Sequence, residues 1–177
     1  GPAFAVIWTT TPWTLPANEA VSVHPELTYD LVDTEKGALI LVRELVEPCL
    51  QRYGLTGKVL ASCPGAKLDQ ILLRHPFQQR DVVIICGKHV TTDAGTGLVH
   101  TAPAHGVDDF NVGKVYGLPV QNPVGNDGRF LANVPPLSSV ELAGKSVWEA
   151  NPLIVQELEG LGRLLKSEKV QHSYPHC

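Results

Sequence analysis

Residues 8–18 read Trp8-Thr9-Thr10-Thr11-Pro12-Trp13-Thr14-Leu15-Pro16-Ala17-Asn18. They follow Ala3-Phe4-Ala5-Val6-Ile7, an apolar run with strand character, so a strand is expected over residues 3–9. Pro12 and Pro16 lack an amide hydrogen and fix φ, which excludes a central ladder strand or a helix interior here. A threonine run by itself is an ordinary strand ending. Flanked by two prolines, two tryptophans and Asn18, it reads instead as a rigid, kinked edge that offers several hydroxyls to one concave place.

Outward from this stretch the pattern is short strands with a few helices between them. Strands are expected at 20–23, 29–33, 38–42, 59–61 and 68–73, with Glu35-Lys36-Gly37 as a hairpin turn. Val82-Val83-Ile84-Ile85-Cys86 is the most apolar run and predicts a central buried strand. Further strands are expected at 98–100, from 118 and over 164–170. Helical spacing covers 44–53, ended by Gly54 and shortened or kinked by Pro48. A helix is expected over 108–116, with Asp108 and Asp109 in its first turn and Gly117 at its end. The last helix is placed near 151–161. The fold class is therefore mixed α/β and strand-dominated, a closed or nearly closed β-barrel core with peripheral helices. A doubly wound fold is disfavoured, because the alternation is irregular and no glycine-rich phosphate loop occurs.

The chain has 177 residues, enough for one domain with a real core, and residues 3–177 are expected to form it. Gly1-Pro2 resembles the remnant of a cleaved tag and is set aside. No apolar run approaches the roughly 20 residues of a membrane span, and no basic leader opens the chain. The net charge of −4 argues against a broad grip on nucleic acid, though not against contact with a short single-stranded end. Cys49, Cys63, Cys86 and Cys177 show no C-x-x-C spacing, so no disulfide framework is expected, in keeping with a cytoplasmic protein. His172, His176 and Cys177 cluster near the end without further ligands, so no metal site is expected.

A second segment carries chemistry: Gly95-Thr96-Gly97-Leu98-Val99-His100-Thr101-Ala102-Pro103-Ala104-His105-Gly106-Val107-Asp108-Asp109. Together the two segments resemble the editing domain of isoleucyl-tRNA synthetase, and the resemblance spans essentially the whole chain. Related leucine and valine enzymes typically carry arginine after the Thr-Thr pair; Thr11 stands there and favours the isoleucine enzyme. Segments like the HIGH and KMSKS motifs of the synthetic site do not occur. The resemblance implies hydrolysis of the ester in mischarged valyl-tRNA(Ile). Its partners would be the 3′ aminoacylated end of tRNA(Ile), valine and the remainder of a full-length synthetase. The protein is expected to be a monomer, without membrane contact and without a cofactor.

An aminoacyl ester is already activated, so a site that holds it and places a water needs no nucleophile triad. None is visible: there is no Gly-x-Ser-x-Gly elbow. Asp109 is the expected partner of the substrate ammonium, through a charge-assisted hydrogen bond; by position alone it could equally complement a helix dipole. Thr9, Thr10 and Thr11 can donate and accept hydrogen bonds around ester, ribose and water. The resemblance puts these three with Asp109 at the reacting group. It puts Trp13, Thr14 and Asn18 near the terminal adenosine or the pocket frame, although Trp13 could as well be a core residue. His100 is implied to line the amino-acid side-chain pocket; from residues alone it is an ordinary satisfied histidine. His105 is expected to be structural and Asp108 to be a cap. The rival readings are the editing domain of a valyl- or leucyl-tRNA synthetase and a non-catalytic β-barrel module that binds an aminoacylated adenosine.

Overall fold

The structure is a computed structural model that describes residues 2–168. His172, His176 and Cys177 lie outside the described residues, as do positions 169 and 170 of the last expected strand. Eight strands are β1 (Ala3–Ala5), β2 (Ala20–Val23), β3 (Thr28–Thr34), β4 (Gly37–Val42), β5 (Gly57–Pro64), β6 (Leu72–Arg74), β7 (Asp81–Cys86) and β8 (Leu98–Thr101). Three α-helices are α1 (Val46–Tyr53), α2 (Val107–Tyr116) and α3 (Val147–Gly160).

The strands form two four-stranded sheets, β1-β4-β3-β5 and β6-β7-β2-β8. The strand-rich mixed α/β class expected from the sequence is present, but the barrel is not. Among the described residues neither sheet closes on itself: β1 and β5 edge the first, β6 and β8 the second. The cause lies in residues 8–18. β1 ends at Ala5 rather than near residue 9, and Pro12 has no N–H to continue a ladder. The chain leaves the first sheet there and rejoins the second at Ala20. Between them residues Pro12–Ala17 wind into a 3-10 helix with Pro12 at its start, where a missing N–H costs nothing. The expected kinked edge is thus a tight 3-10 turn, and Pro16 lies inside it, contrary to the exclusion of a helix interior.

The sheets meet through the glycine-rich start of the second motif. Tyr29 on β3 donates its hydroxyl to the Gly97 carbonyl at 2.6 Å, and the Val42 amide donates to the Thr96 carbonyl at 3.0 Å. Gly97 has φ +81°, and a Cβ there would overlap the Val42 side chain. Glycine is therefore required twice over, by its backbone angle and by this approach. Val21, Val23, Tyr29, Val42, Ile84 and Leu98 fill the core between the sheets. The expected central strand, β7, is indeed internal, paired with β2 and β6.

A separate apolar cluster decides where the threonine turn sits. Leu15 packs with Phe130, Leu142, Ala150, Ile154 and Leu158, so α3 forms the support of the 3-10 helix. α3 starts at Val147, four residues before the expected start. Ser146 accepts from the Glu149 amide at 3.1 Å while Glu149 accepts from the Ser146 amide at 3.0 Å, a reciprocal cap. No strand forms at 118–120, where Pro119 and Pro123 interrupt pairing, and residues 164–168 are irregular.

Candidate active site

The threonines lie on the open side of the 3-10 helix. Thr10 and Thr11 are exposed and Thr9 is half-buried. The Thr9 hydroxyl accepts from the Thr11 amide at 3.0 Å and lies 3.3 Å from the Thr11 hydroxyl, so these two side chains share one local arrangement. From Thr14 onward the turn is buried. Thr14 donates its hydroxyl to the Thr11 carbonyl at 2.9 Å, closing the first turn from inside.

The second motif is brought to the first by β8, which pairs antiparallel with β2. That pairing sets His100 beside Thr14 and Asn18. His100 Nε2 is 2.9 Å from Thr14 Oγ1, and His100 Nδ1 is 2.6 Å from Asn18 Nδ2. The Asn18 amide nitrogen also donates to the Ala20 carbonyl at 2.9 Å, which fixes its orientation. An amide nitrogen only donates, so His100 Nδ1 accepts. The Thr14 hydroxyl has already given its proton to Thr11, so it accepts from Nε2–H. The network therefore assigns the neutral Nε2–H tautomer. Both ring nitrogens are used, which leaves His100 poorly suited to act as a general base.

After β8, the Ala102 amide donates to Asp109 Oδ2 at 2.9 Å. This bond turns the Asp109 carboxylate back from the first turn of α2 toward the motif loop, while Asp108 stays exposed. The distinction between the two acids thus has a geometric basis. Trp13 and His105 meet edge to face, ring centroids 4.9 Å apart at 70°. Trp13 also borders the α3 cluster, so it packs against the core. Among the described residues no hydrogen bond joins Thr9, Thr10 or Thr11 to Asp109. No group of three or more His, Cys, Asp or Glu side chains suited to a metal occurs among them either.

Burial holds the site histidines neutral. The His100 pKa is pushed down to about 4, by burial first and then by the neighbouring His75 and His105. Buried His75 is likewise lowered to about 4 by burial, with its bond to the Leu15 carbonyl opposing and Arg80 adding. His105 is lowered by burial against the pull of Asp109. A depressed histidine pKa stabilises the fold above the unfolded value near 6.5, where both states are neutral. That stability is lost as pH falls toward the folded value, because the unfolded chain then binds more protons. Melting temperature is expected to be flat from pH 8 to 7 and to drop steadily from pH 6.5 to 4. Each buried histidine adds a slope of up to about 1.4 kcal/mol per pH unit. A melt series checks this, and His75→Gln should flatten part of the slope.

A family model described as leucyl-tRNA synthetase, editing domain, matches residues 6–141, most of the chain and both motifs. The chain belongs to the family of aminoacyl-tRNA synthetase editing domains. Isoleucine--tRNA ligase of Dechloromonas aromatica is 77% identical over 177 residues, which is 100% of this chain and 19% of that protein. Isoleucine--tRNA ligase of Nitrosomonas europaea is 54% identical over 174 residues, covering 98% of this chain and 18% of its own. The chain thus spans about a fifth of the curated relatives' length, and the isoleucine branch expected from Thr11 agrees with both. In fold, it resembles the crystal structure of GlLeuRS-CP1, with TM-score 0.71 at 16% identity over 96% of this chain and 85% of that one. The Plasmodium knowlesi cytosolic leucyl-tRNA synthetase editing domain gives TM-score 0.68 at 11% identity, over 91% and 82%.

Residues outside both motifs hold the editing domain's threonine turn from behind. His75 Nε2 meets the Leu15 carbonyl at 2.8 Å, and Arg80 donates to the Pro16 carbonyl at 3.1 Å. His75 Nδ1 accepts from the amides of Phe77 and Gln78 at 3.2 and 3.0 Å, so the proton on Nε2 is assigned by the same logic. From α3, Asn151 Oδ1 accepts from the Trp13 amide at 3.0 Å. Sequence reading placed none of these three at the site. An apolar groove of about 520 Å³ runs beside the motif loop, lined by Pro103, Ala104, Val107, Phe110 and Val120. No helix among the described residues is long and apolar enough to cross a membrane.

Proposed function

We propose that residues 3–177 act as a post-transfer editing domain that hydrolyses the ester of valyl-tRNA(Ile). The observation that carries this reading is the junction at His100, where Thr14 and Asn18 of one motif fasten the other motif in place. The junction holds the Thr9–Thr11 hydroxyls and the Asp109 carboxylate on one rigid frame. Asp109, already oriented by Ala102, takes the α-ammonium of the aminoacyl group in a charge-assisted bond. Thr9, Thr10 and Thr11 hold the ester, the ribose and the attacking water. Because the ester is activated, positioning supplies most of the rate. Trp13, Thr14 and Asn18 frame the terminal adenosine side. His100, neutral and fixed, forms a wall against the substrate side chain.

Such a domain answers a physical limit. One methylene in an apolar pocket is worth only about 1–3 kcal/mol, and isoleucine against valine is the usual worked case of that limit. A second site hydrolyses what is small enough to enter. The partners are the 3′ aminoacylated end of tRNA(Ile), valine and the rest of a synthetase, in the cytoplasm. The domain works as a monomer and without a cofactor.

Free valine released on mixing the chain with valyl-tRNA(Ile) tests the reading against a module that only binds. Thr10→Ala with Thr11→Ala is expected to slow single-turnover release by about 5- to 150-fold, more than either change alone, since each neutral hydrogen bond is worth about 0.5–1.5 kcal/mol. Both side chains are exposed, so melting temperature should barely move. Lost stability with unchanged release would return the threonines to a structural role.

A further inference from the structure

The threonine turn has an N-terminal problem that its own sequence leaves unsolved. In a 3-10 helix the first amides have no partner inside the helix. Pro12 removes one of them by having no N–H, and the Thr14 amide reaches the Thr11 carbonyl at 3.0 Å. The Trp13 amide is left, and Thr11 offers no side-chain cap. The partner of that amide comes from 138 residues away: Asn151 Oδ1, at 3.0 Å. Asn151 stands in the second turn of α3, which the Ser146–Glu149 cap starts at a defined residue. Ala150 and Ile154, fully buried on either side of it, press α3 onto Leu15 of the turn. The Asn151 carbonyl oxygen is therefore delivered by a rigid element to the amide next to Thr14, and Thr14 in turn holds His100.

Resting on the editing function proposed above, we propose that Asn151 is a positioning residue of the deacylation site. It acts as a remote N-cap that fixes the Thr9–Thr14 turn against the His100 and Asp109 side. Only the acceptor oxygen matters for this role, so aspartate should serve and alanine should not. Asn151 touches no substrate; its effect passes through Trp13 and Thr14.

The test compares Asn151→Ala and Asn151→Asp in this chain by two readouts. In single-turnover hydrolysis of valyl-tRNA(Ile), Asn151→Ala is expected to be slower by about 10- to 100-fold, the loss that small misplacements cause. Asn151→Asp should stay within about threefold of the parent. The second readout is the NMR titration of the His100 ring. In Asn151→Ala its midpoint should move upward from about 4, because the loosened turn admits water to the buried ring and burial is the main cause of the low value; in Asn151→Asp it should not move. A parental rate in Asn151→Ala overturns the proposal, and so does an aspartate variant as slow as the alanine one. If the parent itself released no valine, the functional reading would fail, and the His100 titration would still decide the positioning: an unmoved midpoint in Asn151→Ala would overturn it.

Discussion

Asp109→Asn is expected to leave the fold intact and to slow hydrolysis of valyl-tRNA(Ile) by about 30- to 4000-fold. The structural part follows from the single bond seen at this side chain. The Ala102 amide needs only an oxygen acceptor, and the asparagine carbonyl supplies one in place of Oδ2. What disappears is the negative charge facing the substrate ammonium. Truncating one member of a sheltered charge pair costs about 2–5 kcal/mol, and each 1.4 kcal/mol is tenfold. Asp108→Asn is the matched control, since Asp108 is exposed in the same helix turn; it should keep the parental rate. Single-turnover rates with a melt for each variant check this. Near-parental hydrolysis by Asp109→Asn would remove Asp109 from its role.

His100→Ala should change which substrate is hydrolysed. Removing the imidazole enlarges the side-chain pocket by a ring, while Asp109 and the threonines stay. Isoleucine, one methylene larger than valine, would no longer be held away from attack. The variant should hydrolyse isoleucyl-tRNA(Ile), which the parent is expected to spare, and keep the activity proposed for valyl-tRNA(Ile). The hydrogen bonds at His100 add a stability cost: Thr14 and Asn18 each lose a partner, about 1–3 kcal/mol together. Each retains a second bond, to Thr11 and Ala20, so the turn should persist. If His100 were a general base, both activities would fall together. A stable variant with parental preference would count against the wall.

The sequence is most legible where a feature is local. Gly54 and Gly117 end α1 and α2 with φ +69°, as their positions after helical spacing predict. Gly37 turns the β3–β4 hairpin, and Asp108 and Asp109 open α2. The two motifs could be read because each is a short run of unusual residue types. Their meeting at His100 depends on the β2–β8 register, which no local pattern specifies. His75, Arg80 and Asn151 went unread for the same reason, each reaching the turn across 60 or more residues. The missed start of α3 is a different case. Ser146-x-x-Glu149 is a capping box printed in the sequence, and the expected start near residue 151 passed over it. The barrel expectation came from strand content together with the family resemblance, and neither says which edges meet in this chain.

Side-chain selectivity is tested most directly by one comparison. With the chain in excess, valyl-tRNA(Ile) and isoleucyl-tRNA(Ile) are followed for release of amino acid in single turnover. The account predicts rapid release of valine and release of isoleucine at no more than the spontaneous rate. Equal release of both, or tight binding of valyl-tRNA(Ile) with no release, would contradict it.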